Sequence, residues 1–151
     1  MKQLVTALFS IVLFGAFGQS AQIDNTLEFQ ISGGSATVAN SGFEVRYSHR
    51  VNDHIELWNW EYFVGGGFWS RPGQFGPHAL AAGRTAFGRK RHQVLGDLGG
   101  VILFDLSDGY NSYALPVLNL GYRYNSQTDD WHIQFTAGTW GLVSVNLGLK
   151  W

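Results

Sequence analysis

The sequence contains no cysteine, and this absence excludes several kinds of chemistry at once. With Cys 0 in 151 residues, the chain has no disulfide, thiolate metal site, cysteine nucleophile or lipid-modified N-terminal cysteine. Charge is also scarce, because charged residues make up 14% of the chain against about 25% in an ordinary soluble domain. The 10 basic and 11 acidic residues leave a formal net charge of −1. Nucleic acid is therefore not an expected partner, since binding to phosphate needs a basic surface.

Long apolar runs are missing after residue 21. The longest are residues 79–82 and 101–104, far shorter than the ~20 residues of a membrane-spanning helix. Residues 1–21 differ, because a basic start is followed by the apolar stretch 4–14 and then by small residues. This arrangement predicts a cleaved secretory signal peptide rather than a membrane anchor. Residues 22–151 then form the mature chain, and that chain can enter a membrane only as closed β-structure.

Apolar and polar residues alternate along this mature chain with the two-residue period of β-strands. Residues 143–151 follow the alternation at every position, with apolar side chains at the odd numbers. Turn-forming residues between such segments divide the chain into eight predicted strands. These are residues 26–32, 42–50, 54–64, 78–87, 92–104, 114–124, 131–139 and 142–151.

The connections between the predicted strands differ in length. Residues 51–53, 88–91 and 125–130 form short polar turns, and residues 33–41, 65–77 and 105–113 form longer loops. Short turns at one end and longer loops at the other are typical of an up-and-down barrel in a bacterial outer membrane. The fold class predicted is therefore all-β, an eight-stranded antiparallel up-and-down transmembrane β-barrel with both termini on the short-turn side.

A soluble barrel of the lipocalin type that binds a small apolar ligand is the main alternative, because it has the same number of strands. Aromatic residues near the short-turn ends favour the membrane, where Trp and Tyr lie at the level of the lipid headgroups. The predicted aromatic girdle consists of Tyr47, Phe87, Tyr122, Tyr124, Trp131 and Trp151.

The polar faces of the strands carry equal numbers of acids and bases. The acids are Glu28, Glu44, Glu61 and Asp97, and the bases are Arg46, Arg84, Arg123 and Lys150. Buried charges are tolerable only when they are paired and hydrogen-bonded, and this balance allows pairing. The sequence therefore predicts a charge network that fills the lumen, although the same charges would also suit the surface of a soluble barrel.

Several features together resemble the small outer-membrane β-barrel proteins of Gram-negative bacteria. They are the signal peptide, the Gly-rich alternating strands, the Gly-Tyr-Arg-Tyr segment at 121–124 before an acidic turn, and a last strand with a terminal aromatic residue. The resemblance covers the whole mature chain. It implies a structural or surface-interaction protein of the outer membrane, in contact with outer-membrane lipid and lipopolysaccharide.

The resemblance also implies a partner for the last strand. In that family the barrel-assembly machinery reads a final strand with alternating apolar residues and a terminal aromatic residue. The matching positions here are Val143, Val145, Leu147, Leu149 and Trp151. Phe is the usual last residue of the family, so Trp151 is a departure from the pattern.

Catalytic and metal-binding motifs are not evident in the sequence. The histidines His49, His54, His78, His92 and His132 form no close ligand pair, and no metal or cofactor is predicted. Ser48 and His49 are adjacent, which places them on opposite faces of a strand and excludes them as nucleophile and base. A lipid-modifying barrel enzyme remains a second alternative, through a triad assembled from separate strands.

Two segments are candidates for surface binding. The glycines at 65–67 lack the Lys and the helix of a phosphate loop, so we expect a flexible loop that continues into Phe68, Trp69 and Arg71. These three residues either contact a partner or fold back over the barrel mouth. The basic residues 89–91 suit a solvated turn, with attraction to anionic headgroups as the alternative.

Overall fold

The computed structural model describes residues 25–33, 41–51, 57–89, 91–107, 111–127, 130–140 and 142–151. The predicted signal peptide, His54 and Lys90 lie outside these residues. The strands are β1 (Asn25–Gly33), β2 (Ser41–Arg50), β3 (Trp58–Arg71), β4 (Gln74–Phe87), β5 (His92–Asp105), β6 (Asn111–Asn125), β7 (Trp131–Gly138) and β8 (Val143–Lys150).

The eight strands form a closed barrel in sequence order, and every neighbouring pair is antiparallel. Closure is made by β1 and β8, which pair from Thr26–Lys150 to Gly33–Val143. No helix in the described part of the chain is long and apolar enough to span a membrane. The predicted up-and-down barrel of eight antiparallel strands is confirmed.

Side chains of alternate residues point into and out of the barrel, and the two faces differ sharply in polarity. Arg46 and Arg84 are 0% exposed on the inner face, whereas Leu98 and Leu120 are 69% and 72% exposed on the outer face. A soluble barrel has the opposite distribution, with an apolar interior and a polar exterior. An apolar outer face around a polar lumen is the arrangement of a transmembrane barrel.

The predicted long loop at 65–77 is wrong. β3 continues to Arg71 and β4 begins at Gln74, so the connection is the two-residue turn Pro72–Gly73. Gly73 has φ 80°, a conformation that glycine adopts without steric cost. The residue before it is Pro72, whose ring fixes its own φ at a value that suits a turn. The glycines at 65–67 are not a flexible loop, because they pair with residues 44–46 of β2.

The predicted contrast between short turns and long loops is also not found. The strands are separated by residues 51–57, 88–91 and 126–130 at the end that carries the termini. At the other end the connections are residues 34–40, 72–73, 106–110 and 139–142. The predicted loops 65–77 and 105–113 include the outer parts of β3, β4 and β6, so the connections at that end are shorter than predicted.

Strand length is instead the feature that distinguishes one side of the barrel. β3, β4 and β5 have 14 residues and β6 has 15, whereas β1, β2, β7 and β8 have 8 to 10. A tilted strand crosses the hydrocarbon with about 9–11 residues. The extra length lies at the end away from the termini, where Leu106 N donates to Phe75 O at 3.0 Å and joins the β3–β4 hairpin to β5. One wall of the barrel is therefore taller than the other.

The close approach of β2 to β3 makes a glycine necessary at position 67. A Cβ added to Gly67 would overlap the Phe43 carbonyl, whereas a Cβ added to Gly96 meets no atom within 4 Å. We expect Gly67→Ala to lower the free energy of unfolding by about 2 kcal/mol, the cost of overpacking between fixed strands. Gly96→Ala is the matched control and should change it little. Urea unfolding of the refolded barrel in detergent measures both, and equal stability of the two variants would contradict this close packing.

Candidate functional site

The lumen contains a cluster of buried charges that crosses the barrel. Arg84 of β4 lies at its centre and is 0% exposed. Its guanidinium contacts carboxylates of three other strands: Asp97 of β5 at 2.7 Å, Glu28 of β1 at 2.9 Å and Glu61 of β3 at 3.8 Å. Two parallel hydrogen bonds, from Nε to Oδ1 and from Nη2 to Oδ2, attach Arg84 to Asp97. One cation thus neutralises acids from both sides of the lumen.

A second cation completes this cluster. Arg123 of β6 donates from Nη1 and Nη2 to the two oxygens of Glu61, both at 2.7 Å. This fork-to-fork geometry is the strongest pairing available to Arg and a carboxylate. Arg123 Nη2 also lies 3.5 Å from Glu28 Oε1, and Nε donates to Gln134 Oε1 at 3.3 Å. We call Glu28, Glu61, Arg84, Asp97 and Arg123 the central cluster.

A smaller polar group lies nearer the end away from the termini. Glu44 of β2 accepts a bond from Arg46 Nε, lies 2.9 Å from His78 Nε2, and accepts from Trp140 Nε1 at 3.0 Å. Trp140 belongs to the β7–β8 connection, yet it is 3% exposed, and its ring lies 4.8 Å from that of His78. The connection therefore inserts an indole into this end of the lumen, where Glu44 binds it.

The tall wall, which consists of β3–β6, and Trp140 of the β7–β8 connection together contribute an apolar core to the lumen. This apolar cluster consists of Phe63, Trp69, Leu80, Ala82, Val101, Leu103, Val117 and Trp140. The guanidinium carbons of Arg84 and Arg46 lie over the Phe63 ring, at 4.5 Å and 4.8 Å from its centre. Phe63 thus joins the charged and apolar parts of the lumen.

The eight charged residues predicted for the lumen face the interior but do not form one network. Five make up the central cluster, and Glu44 and Arg46 form the group around Trp140. The Nζ of Lys150 donates to Asn125 Oδ1 at 2.9 Å. His78, His132 and Trp140 were not among the predicted lumen residues. The alternation already places the two histidines on polar faces, whereas nothing in the sequence indicates the inward turn of Trp140.

The predicted girdle residues lie on the outer face near the termini. Tyr124 is 6.1 Å from Trp131, and Tyr47 is 6.5 Å from Trp151, between ring centres. Phe87 packs edge-on against Trp58 at 5.9 Å. Four further aromatic or imidazole side chains at the same end were not among the predicted girdle residues: Trp58, Trp60, Tyr62 and His92.

The predicted loop-binding residues lie on β3, and Trp69 cannot act as an exposed contact. Phe68 points outward and is 62% exposed, whereas Trp69 is 2% exposed and belongs to the apolar cluster. Consecutive strand residues face opposite sides of the sheet, which separates the two. Arg71 Nε donates to Gln74 Oε1 across the Pro72–Gly73 turn.

Ser48, His132 and Glu28 approach one another in the lumen, but they do not have the geometry of a catalytic triad. Ser48 Oγ and His132 Nε2 both approach Glu28 Oε1, at 3.5 Å and 3.4 Å. A nucleophile must instead bond its base, which the acid then orients. In the described part of the chain, no group of three or more His, Cys, Asp or Glu is placed to hold a metal ion.

Removing the cation at the centre of the lumen tests the importance of the central cluster. We expect Arg84→Leu to destabilise the barrel by about 3 kcal/mol, because three buried carboxylates lose a partner. The control is Arg89→Leu in the exposed β4–β5 turn, which should have almost no effect. Chemical unfolding of the refolded variants in detergent measures the difference. An Arg84→Leu barrel as stable as the control would show that the central cluster contributes little.

Comparison with solved structures gives remote similarities, among them the following. The chain is similar to the crystal structure of Ail, the attachment invasion locus protein of Yersinia pestis, in complex with the heparin analogue sucrose octasulfate. The TM-score is 0.42 and the sequence identity 13%, over 85% of this chain and 92% of that chain. No protein-family model matches the chain, and no curated protein matches it. The strand pairing and the polarity of its two faces make the chain an eight-stranded antiparallel β-barrel of the transmembrane type.

Proposed function

We propose that this chain is an integral outer-membrane protein with a structural or surface-interaction role. The observation that carries the proposal is the inverted polarity of the barrel, with ion pairs inside and apolar side chains outside. Water would leave this outer face poorly solvated, whereas lipid solvates it and a closed sheet has no unpaired edge to expose to lipid. The outer face includes Ile31, Leu98, Leu118, Leu120, Phe135 and Leu147, all exposed.

The orientation in the membrane follows from the aromatic residues at the terminal end. Trp131 and Trp151 with their tyrosine neighbours suit the headgroup level of the periplasmic leaflet. The taller wall of β3–β6 then projects on the outer side, toward lipopolysaccharide and the medium. Phe68, Phe75 and Tyr113 are exposed on this wall, and they are the contacts we propose for a surface interaction.

The lumen supports a role without an open ion-conducting pore. Eight strands enclose an interior just wide enough for side chains. The central cluster reaches from β1 to β6 through Arg84 and Arg123, and Trp140 occupies the lumen nearer the outer end. Ions would have to break buried pairs in order to pass.

Two other functions are less well supported. A lipocalin-like carrier needs an apolar cavity and a polar outer surface, and the polarity here is the reverse. A lipid-modifying enzyme needs its nucleophile and base on a surface that lipid can reach, whereas Ser48 and His132 are buried in the lumen. Lipid analysis of a deletion strain tests the enzyme directly.

Membrane insertion is the first consequence that can be measured. We expect the protein to remain in outer-membrane fractions after a carbonate wash, since its outer face is solvated by lipid. Its mobility on a gel should shift when the sample is boiled in detergent, because the closed barrel unfolds only then. A protein recovered from the soluble periplasm would support the lipocalin-like carrier instead.

The last strand provides a test of the proposed contact with the barrel-assembly machinery. On the outer face, Val143, Val145, Leu147 and Leu149 lead to Trp151, which is 63% exposed. We expect Trp151→Asp to reduce the amount of inserted protein in cells and Trp151→Phe to have little effect. A charge near the membrane interface costs only about 0–1 kcal/mol, so both variants should refold in detergent almost as well as the parent. Normal insertion of Trp151→Asp in cells would show that this strand end is not an assembly signal.

A further inference from the structure

A group of basic and aromatic side chains lies on the outer face at the terminal end, where β5 begins and β6 ends. It consists of Arg91 of the β4–β5 connection, His92 of β5, and Tyr122 and Tyr124 of β6. Arg91 and His92 are exposed, and Tyr122 is 41% exposed. His92 is in register with Tyr124, so these side chains lie beside one another on two adjacent strands. We call them the terminal basic group.

Arg91 is held in place by the aromatic ring next to it. Its Nε and Nη2 both donate to the Tyr124 hydroxyl, at 3.1 Å and 2.6 Å, and its guanidinium carbon lies 5.2 Å from the centre of the Tyr124 ring. Asn125 N also donates to the Arg91 carbonyl at 2.9 Å. The bonds to Tyr124 use two of the five N–H groups of a guanidinium, so those on Nη1 are left for an acceptor outside the chain.

His92 is fixed in a similar way. Its Nδ1 is hydrogen-bonded to the Tyr122 hydroxyl, and its ring packs edge-on against Tyr124 with 5.5 Å between ring centres. Because Nδ1 is engaged, Nε2 is the ring nitrogen left for another partner. The terminal basic group therefore offers nitrogen donors from two side chains whose positions are already fixed, which suits one oxyanion such as a phosphate.

The charges near this group favour a negatively charged ligand. Residues 89–91 are all basic, and no ion pair between described residues includes Arg89 or Arg91. The described acid of the β6–β7 connection, Asp130, lies two strands away, where its carbonyl oxygen accepts from Lys150 N of β8 at 2.7 Å. A phosphate bound at Arg91 would therefore not have to displace a carboxylate of the described residues.

The apolar outer face has a gap deeper along β5. Gly96 has no side chain, and a Cβ added to it would meet no atom within 4 Å. Apolar side chains surround this position: Val94 and Leu98 along β5, and its register partner Leu120 on β6, exposed at 59%, 69% and 72%. Gly96 is four residues from His92, about 13 Å along the strand. The acyl chain of a lipid whose headgroup lies at His92 can reach this distance.

We propose that the terminal basic group binds the phosphate of an anionic glycerophospholipid, and that an acyl chain of the same molecule packs over Gly96. A free phosphate would use only the first part of this site, whereas a lipid uses both. The inference rests on the proposed membrane location and orientation, which place the terminal end in the leaflet that faces the periplasm, away from lipopolysaccharide.

Binding of single lipid molecules to the folded barrel tests this site. Native mass spectrometry of the barrel released from detergent gives the dissociation constant for the first molecule of phosphatidylglycerol. Phosphatidylcholine and glycerol phosphate are the comparison ligands. We expect phosphatidylglycerol to bind at least about fivefold more tightly than either, since phosphatidylcholine has no net charge and glycerol phosphate has no acyl chain.

Two substitutions in the same connection separate a defined site from diffuse attraction. Arg89→Gln and Arg91→Gln remove the same charge, but Arg91 is the residue bonded to Tyr124. We expect Arg91→Gln to weaken phosphatidylglycerol binding at least about tenfold, as for the loss of a charge-assisted hydrogen bond. Arg89→Gln should weaken it less than about threefold at physiological salt, where distant charges are screened. Heat-modifiable mobility confirms that each variant is folded.

A third variant tests the fixed position of the guanidinium. Tyr124→Phe keeps every charge and the ring but removes the hydroxyl that holds Arg91. We expect it to weaken phosphatidylglycerol binding by an amount between those of the two arginine variants. Binding to Tyr124→Phe as tight as to the parent would show that charge alone attracts the lipid, and would contradict a built site.

Other results would also overturn the proposal. Equal weakening by Arg89→Gln and Arg91→Gln would mean that the lipid is attracted to the connection as a whole, and unchanged binding to Arg91→Gln would mean that it binds elsewhere. Phosphatidylcholine or glycerol phosphate bound as tightly as phosphatidylglycerol would exclude an anionic lipid as the specific ligand. The membrane location is tested separately by carbonate washing, so its failure and the failure of this site are distinguishable.

Discussion

Charge inside a closed sheet is the constraint on which the rest of this structure depends. Once the outer face is apolar, polar side chains are left inside, where each charge must find an opposite charge within reach. Arg84 meets this requirement by contacting acids from β1, β3 and β5. Arg123 meets it by donating two hydrogen bonds to Glu61 across the lumen. These contacts connect strands far apart in the sequence, so the central cluster can form only when the barrel has closed.

The central cluster also accounts for the division of the lumen. Two arginines and three acids occupy the terminal half. Phe63 lies at its border, because its ring packs against the Arg84 guanidinium and also belongs to the apolar cluster. The short strands β1, β7 and β8 contribute amides and hydroxyls instead of apolar side chains. The two halves therefore differ in polarity, with close-packed apolar side chains in one and side-chain amides and hydroxyls in the other.

Strand length gives the barrel a second asymmetry. Strands of 14 and 15 residues exceed a hydrocarbon span of about 9–11 residues, so β3–β6 extend beyond the shorter strands at the end away from the termini. The two-residue turn at Pro72–Gly73 makes the β3–β4 part of this extension possible without a loop. A rigid sheet projecting from the barrel presents fixed side chains to a partner, which a flexible loop would not do.

Alternation in the sequence is enough to determine the strand number, the antiparallel order and the set of charges that face inward, because side chains with a period of two leave one face for the interior. It also places the aromatic residues of the terminal end on the outer face. It does not determine where β3 ends, since Gly65–Gly67 and Pro72–Gly73 both read as turns until β2 is present to pair with the first group. Nor does it assign Trp69 to the apolar cluster, Trp140 to Glu44, or Arg123 to Glu61. Those contacts depend on the register and closure of the barrel, because they join residues that are far apart in the sequence and approach each other only inside the lumen.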